Sequence, residues 1–526
     1  MKIKILATVV ALALPILDMS AQPLRTVQQK ISDGILEGVI SADGKVRTFK
    51  GIPFAAPPVG ALRWKPPQPV QPWSGVRKAA EYGPRPMQGR IFDDMVFHDS
   101  GPSEDCLYLN VWLPEDQPHT KLPVMVWIYG GGFVAGATSE ARQDGGNLCK
   151  KGVIVVSMGY RLGVFGFLAH PELTRESSDH ASGNYGLMDQ IAALAWVHKN
   201  IAAFGGDPDN VTIFGESAGS ISVSAVMASP AARGLFHKAI GESGAIFNAN
   251  RPLKSLSAAE NDGVAFAESA FGTSSLETLR NKSAQELLDA TLKQPRPRFG
   301  LNVDGHTIPA DSVAIYGSGQ QAHVPLLAGW NRDEGSYHGF FGQDQPTLAN
   351  YEAQARARFG DQAAGFLSAY SAKTDAEARR AAADYAGDEF ISYGTWKWIE
   401  LHRKTRGSPV YRYRFDQTLP LAADAKPDAE PVAPHASEIE YVFRVLPSRH
   451  LPWQDEHHQV SELMASYWTN FAKTGNPNGP GLPKWPRYED GAGNPVMHLK
   501  ANAAAAPDAH RARYEFLETF AAARKK

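Results

Sequence analysis

Val211-Thr212-Ile213-Phe214-Gly215-Glu216-Ser217-Ala218-Gly219 is a short apolar run that ends in the pattern G-x-S-x-G. The run suits a buried strand, and Ser220–Met227 behind it can be helical. A serine on a sharp strand-to-helix turn is the context in which this pentapeptide forms a nucleophile elbow. The two glycines have a steric reason. Such a turn brings its backbone against its neighbours and leaves no room for side chains at the flanks. It also starts a helix whose N-terminus favours developing negative charge. The pattern alone is a weak signal. Its nearby rival, Gly241-Glu242-Ser243-Gly244, lacks the second glycine because Ala245 stands in that place.

Working outward, Val124-Met125-Val126-Trp127-Ile128 and Val153-Ile154-Val155-Val156 read as two further buried strands. Between the second of these and Val211 lies 187–203, where Ile191, Leu194, Ala195, Val197 and Ile201 recur at helical spacing. Strand, helix, strand in this order predicts a parallel βαβ unit, and continuous apolar strands predict a sheet covered on both faces. The fold class is therefore α/β. Gly130-Gly131-Gly132-Phe133 follows the first strand directly, so backbone N–H groups there can turn towards a carbonyl oxygen.

The prolines between 53 and 72 forbid a long helix in that region. Downstream, 255–300 and 345–405 read as helical insertions, and Pro325–Gly329 reads as a core strand. Val410–Phe415 reads as a strand with Tyr411, Tyr413 and Phe415 on one side and Arg412 and Arg414 on the other. Residues 457–473 read as a helix stopped by Gly475, and Ala422–Pro434 as a loop.

Composition narrows the function class. Of 526 residues 43% are hydrophobic, enough for a large core. Lys and Arg number 53 against 55 Asp and Glu, which argues against a nucleic-acid partner. The only cysteines are Cys106 and Cys149, so neither a disulfide scaffold nor a cysteine metal site is expected. Lys2 and Lys4, the apolar Ile5–Leu17, and Ser20-Ala21 together predict a signal peptide over 1–21. The apolar stretch is shorter than the roughly 20 residues of a spanning helix, so no membrane anchor is expected. The mature chain, 22–526, is expected to be soluble and exported, to a periplasm or beyond the cell.

Glu104-Asp105-Cys106-Leu107-Tyr108-Leu109-Asn110-Val111, the glycine triplet and Gly215–Gly219 together resemble the type-B carboxylesterase family. Gly51–Pro58 with Leu62-Arg63-Trp64 resembles its entry segment. Phe204-Gly205-Gly206-Asp207-Pro208 resembles the run before its elbow strand. The resemblance runs from about residue 35 to about 490. It implies one α/β-hydrolase domain: a large, mostly parallel sheet with helices on both faces and helical insertions over the active site.

The resemblance also implies a triad in the chain order Ser, Glu, His. Asn331-Arg332-Asp333-Glu334-Gly335 resembles the acid segment, which makes Glu334 the acid, with Asp333 as competitor. Pro434-His435-Ala436-Ser437-Glu438-Ile439 resembles the histidine segment, which makes His435 the base for Ser217. Gly131, Gly132 and Ala218 match the oxyanion-hole donors, and Glu216 and Ser243 match positions beside the triad. Arg63 and Glu104 match a structural ion pair. The family's bridge to the position of Cys106 cannot form, because Pro86 and Met87 stand where its partner would be, so free thiols are expected.

The implied activity is hydrolysis of small-molecule carboxylic esters through an acyl-enzyme, with no metal or cofactor. An amidase, a detoxifying esterase for a complex natural ester, and a non-catalytic adhesion protein are the rival readings. Phe133, Trp330, Phe340 and Phe341 are candidates for pocket walls or for core.

Overall fold

The computed structural model describes residues 25–523 except 117–119, 248–251, 295–298, 406, 423, 427–429 and 489–492. The expected signal peptide over 1–21, and parts of the 255–300 insertion and of the 422–434 loop, lie outside the described residues.

A 13-stranded sheet runs through the molecule. Its strands are β1 (Thr26–Ile31), β2 (Gly34–Ile40), β3 (Val46–Pro53), β4 (Val76–Lys78), β5 (Tyr108–Pro114), β6 (Leu122–Ile128) and β7 (Ile154–Met158), followed by β8 (Gly206–Glu216), β9 (Lys238–Glu242), β10 (Leu326–Asn331), β11 (Val410–Phe415), β12 (Val496–Leu499) and β13 (Ala504–Ala506). In space they follow the order β1-β2-β3-β5-β7-β6-β8-β9-β10-β11-β12-β13, with β4 against β2. β1, β2, β3, β5 and β7 pair antiparallel in that order, as do β12 and β13, while β4 lies parallel to β2. From β7 through β6, β8, β9, β10 and β11 to β12 every pair is parallel.

The parallel centre follows from its residues. Val124–Ile128, Ile154–Met158, Val211, Ile213 and Phe214 are all buried, as a sheet covered on both faces requires. The predicted helix before β8 is α1 (Tyr185–Asn200), and the elbow helix is α2 (Ala218–Ala228), nearly all of it buried. The insertions are helical as predicted: Leu256–Phe271, Leu276–Arg280 and Ala284–Lys293, then Leu348–Phe359, Ala363–Ala369, Asp375–Gly387 and Tyr393–Lys404. Between the last two sits a π-helical turn, Asp388–Ser392. The helix Asp455–Thr474 ends at Gly475, whose φ of 76° is the left-handed conformation that closes a helix.

The alternation in β11 does not divide inside from outside. Arg412 is as buried as Tyr413. Its guanidinium lies 4.4 Å from the Trp330 ring and pairs with Asp508, at the foot of the C-terminal helix Arg511–Ala523. That helix covers a face that the local pattern marks as polar. Trp330, Phe340 and Phe341 prove to be core. Trp330 packs edge-on against Tyr514, and Phe340 against Phe366 and Tyr385. The Arg63–Glu104 pair forms as expected, fork to fork at 2.6 Å on both arms, and is nearly buried. Cys106 and Cys149 are free and buried; burial pushes the Cys149 thiol up to about 12.

His402 gives the fold a pH signature. Its Nε2 donates to Val324 O at 2.9 Å inside the core, and burial holds its pKa down to about 4, against 6.5 for a solvated imidazole. Between those values the unfolded chain binds a proton that the folded chain refuses, so stability falls as pH drops from 6.5 towards 4. Melting temperatures across this window should show the fall, and His402→Gln should flatten part of it. A variant with an unchanged slope contradicts a neutral buried His402.

Candidate active site

All the site residues named above gather at the C-terminal edge of the parallel strands, where α/β folds bind ligands. Ser217 follows β8, the glycine triplet follows β6, Ser243 follows β9 and Glu334 lies just after β10. His435 follows β11 at the end of a long connection.

The elbow is a matter of clearance. A Cβ on Gly219 would stand 1.9 Å from Ile128 O, and one on Gly215 2.6 Å from the same oxygen. Only glycine lets the turn pass this close to β6. Ser217 is forced to φ 54° and ψ −119°, a strained conformation for a non-glycine residue. Its N–H donates to Glu242 O at 2.9 Å, and its carbonyl accepts from Ile221 N at 2.9 Å. Strain of the same kind recurs at Phe133, Ser243 and Ala436, all beside the site.

Ser217 Oγ lies 2.9 Å from His435 Nε2, and His435 Nδ1 lies 2.7 Å from Glu334 Oε2. The other oxygen of Glu334 accepts from Ser243 Oγ at 2.6 Å and from the Asn331 N–H at 2.7 Å. Glu334 is thus saturated and almost fully buried, whereas the imidazole keeps 27% of its surface. Glu216 Oε1 stands 3.2 Å from His435 Nε2, on the serine side of the ring.

These contacts set the charge balance. Burial opposes a charged imidazole, but Glu216 and Glu334 outweigh it and push His435 up to about 10. Burial pushes Glu216 up to about 7. Two further buried acids surround the group. Glu242 accepts from Trp468 Nε1 at 2.8 Å, and Glu438 accepts from Asn331 Nδ2 at 2.5 Å. Burial raises both, Glu242 to about 8 and Glu438 well above the carboxylate range. The site therefore sets acids whose burial resists ionisation beside an imidazole whose neighbours favour its cation.

Gly131 and Gly132 have φ of 106° and 64°. Gly131 O accepts from Val134 and Ala135 N–H, and a Cβ on Gly131 would stand 2.2 Å from Ala135 O. Among the described residues, the N–H groups of Gly131, Gly132 and Ala218 have no protein acceptor. They are free to receive an oxyanion.

Asp333 is the competitor that the structure sets aside. Its Oδ2 accepts the Ala433 N–H at 2.8 Å, its own N–H donates to Ala433 O at 3.0 Å, and Arg332 and Arg380 hold its carboxylate. It ties the Glu334 loop to the His435 loop. Asn331 does the same from the other side, donating to Pro434 O at 2.7 Å. Neither tie was foreseen, although both residues adjoin Glu334 in the acid segment. Phe390 was also missed. The π-helical turn presents its half-exposed ring edge-on to His435, with centroids 5.0 Å apart. Among the described residues no group of three or more His, Cys, Asp and Glu is placed to hold a metal ion.

The carboxylesterase family model matches residues 24–517. The chain belongs to the carboxylesterase family. It is 36% identical over 498 residues to the fumonisin B1 esterase of Sphingopyxis macrogoltabida, covering 91% of this chain and 87% of that one. It is 35% identical over 513 residues to the liver carboxylesterase of Sus scrofa, covering 89% of each. Among solved structures it is similar to a PNB esterase, with a TM-score of 0.78 at 34% identity, covering 93% of this chain and 99% of that one. This carboxylesterase has the α/β-hydrolase fold and is a carboxylic-ester hydrolase.

Glu216→Gln removes a negative charge 3.2 Å from Nε2, so the imidazole should lose its proton at lower pH. The ascending limb of the kcat/KM profile should move to lower pH, with a reduced plateau because the imidazolium loses a partner. An unmoved limb contradicts the role of Glu216 in raising His435.

Proposed function

We propose that this carboxylesterase is an exported serine hydrolase that works through an acyl-enzyme, with Ser217 as nucleophile, His435 as general base and acid, and Glu334 as the group that orients the imidazole. The observation that carries the proposal is the unbroken chain Ser217 Oγ, His435 Nε2, His435 Nδ1, Glu334 Oε2, at 2.9 and 2.7 Å. Ser217 Oγ attacks the ester carbonyl carbon while Nε2 takes its proton. The new Nε2–H lies between Oγ and Glu216, so the imidazolium is flanked by carboxylates on both ring nitrogens. The carbonyl oxygen takes the negative charge in front of the Gly131, Gly132 and Ala218 N–H groups, each such donor contributing about 3–4 kcal/mol. The proton passes to the departing alkoxide. Water then attacks the acyl carbon by the same relay in reverse and frees Ser217.

The walls nearest this chemistry are apolar. Phe390 faces His435, and the methyl of Met95 reaches within 3.1 Å of a Cβ placed on Gly131. They suit aryl and short-to-medium acyl esters. The likeness to a fumonisin B1 esterase supports a second reading, a bulky natural ester as the physiological substrate. Export, to a periplasm or beyond the cell, is supported by the basic and apolar sequence of 1–21.

The test is turnover of para-nitrophenyl esters from acetate to laurate beside matched anilides. Esters should turn over well ahead of anilides, and Ser217→Ala should abolish turnover without lowering the melting temperature. Wild-type-like rates in that variant, or anilides that match esters, contradict the proposal.

A further inference from the structure

Against the loop Asn331–Gly335 lies a cavity of about 300 Å³ whose wall includes neither Ser217 nor His435. Four separate elements place an arginine in it. Arg332 comes from the loop after β10, Arg380 from the helix Asp375–Gly387, Arg414 from β11 and Arg513 from the C-terminal helix. A space this large holds a small metabolite, and its polarity is uncommon for a cavity beside a core.

The hydrogen bonds are unevenly used. Asp333 accepts from Arg332 at 2.7 Å and from Arg380 at 2.5 Å. Asp384 forms ion pairs with Arg380 at 2.5 Å and with Arg513 at 2.9 Å, one on each oxygen. Asp416, beside the cavity, accepts from Arg414 at 2.6 Å and from His498 at 2.5 Å. Both oxygens of each of these carboxylates are therefore taken. The arginines are not used up. Among the described residues, Nη2 of Arg414 and both Nε and Nη2 of Arg513 have no hydrogen-bond acceptor. His510 adds no charge: burial, with Arg513 and Arg414 beside it, pushes its pKa down to about 4, and its Nε2 lies 2.6 Å from Arg414. Two lining acids remain: Glu334, committed to His435, Ser243 and the Asn331 N–H, and Asp388, which accepts from Tyr370 at 3.0 Å and which burial pushes up to about 7. Spare guanidinium donors beside filled carboxylate acceptors are the makings of an anion site.

We propose that this arginine-walled cavity binds a small oxyanion, a phosphate or a short carboxylate, and that its occupancy reaches the active site through Asp333. The guanidiniums are planar forks, and an anion between Arg414 and Arg513 takes N–H groups that no protein atom uses. The link to catalysis is direct. Arg332 and Arg380 hold the carboxylate that ties the Glu334 loop to Ala433, two residues before His435. Arg513 and Arg380 share Asp384, so an anion that draws Arg513 towards it shifts Asp384 and, with it, the hold of Arg380 on Asp333.

The experiment is calorimetric titration of the full chain with inorganic phosphate and, separately, with succinate, at constant ionic strength against a chloride control. Para-nitrophenyl ester turnover is followed at the same concentrations. The account expects saturable one-to-one binding of at least one probe, with a Kd of about 1 mM or tighter. The arm that binds identifies the chemistry as phosphate or carboxylate. Binding should weaken at least about tenfold, or 1.4 kcal/mol, in Arg513→Ala. Arg414→Gln should weaken it similarly and serves if the first variant does not fold. Turnover should change with the same midpoint as binding. Neither probe binding, or binding unchanged in both variants, overturns the site. Binding without any change in turnover overturns the transmission through Asp333. The binding arm is independent of which residue is the nucleophile, so its failure leaves the Ser217 mechanism standing.

Discussion

The site depends on a backbone clearance. The turn after β8 passes so close to β6 that Ile128 O occupies the place where any side chain on Gly219 would begin. This forces Ser217 into positive φ, lifts its hydroxyl clear of the sheet edge and sets the first turn of α2 against the glycine triplet. Parallel pairing makes the arrangement reproducible. Ile128 is registered with Gly215, so Gly130 falls beside Ser217 and the donors of Gly131 and Gly132 come next. A strained serine of this kind costs about 1–3 kcal/mol, and it persists because the surrounding strands leave it no alternative.

Charge is the second constraint. One imidazole sits among Glu216, Glu334, Glu242 and Glu438, all buried. Four ionised acids in such a space would repel one another severely. The structure resolves this by giving them unequal partners. Glu334 receives hydrogen bonds from Ser243, Asn331 and His435, whereas Glu242 and Glu438 each keep one oxygen without a partner among the described residues, and burial raises both above the usual carboxylate range. The proposed mechanism asks for an imidazole that accepts a proton readily and is stabilised once it has it. A carboxylate at each ring nitrogen supplies the stabilisation and raises the pH at which the free base becomes available.

The sequence carried the central strands, the elbow and the helical insertions, because each is written in local signals: apolar runs, glycine at fixed offsets, and stretches free of proline. The elbow pattern pointed to Ser217, and the family resemblance pointed to Glu334 and His435, with Asp333 left as competitor. What the sequence did not carry depends on distant packing. Arg412 looks like an outward residue until the C-terminal helix covers it. Phe390 reaches His435 only because the helix runs through a π turn there, an irregularity with no periodic trace. Asp333 and Glu334 are adjacent and chemically alike, and only the three-dimensional loop shows that one clamps Ala433 while the other faces the imidazole.

The account turns on Ser217 carrying the acyl group during turnover. The direct measurement is rapid acid quench of the enzyme with para-nitrophenyl butyrate, followed by intact-mass and peptide analysis. The account predicts a butyryl adduct on the peptide that contains Ser217, formed within the first turnover and absent from Ser217→Ala. Acyl groups on another residue, or full turnover with no adduct at any quench time, would contradict it.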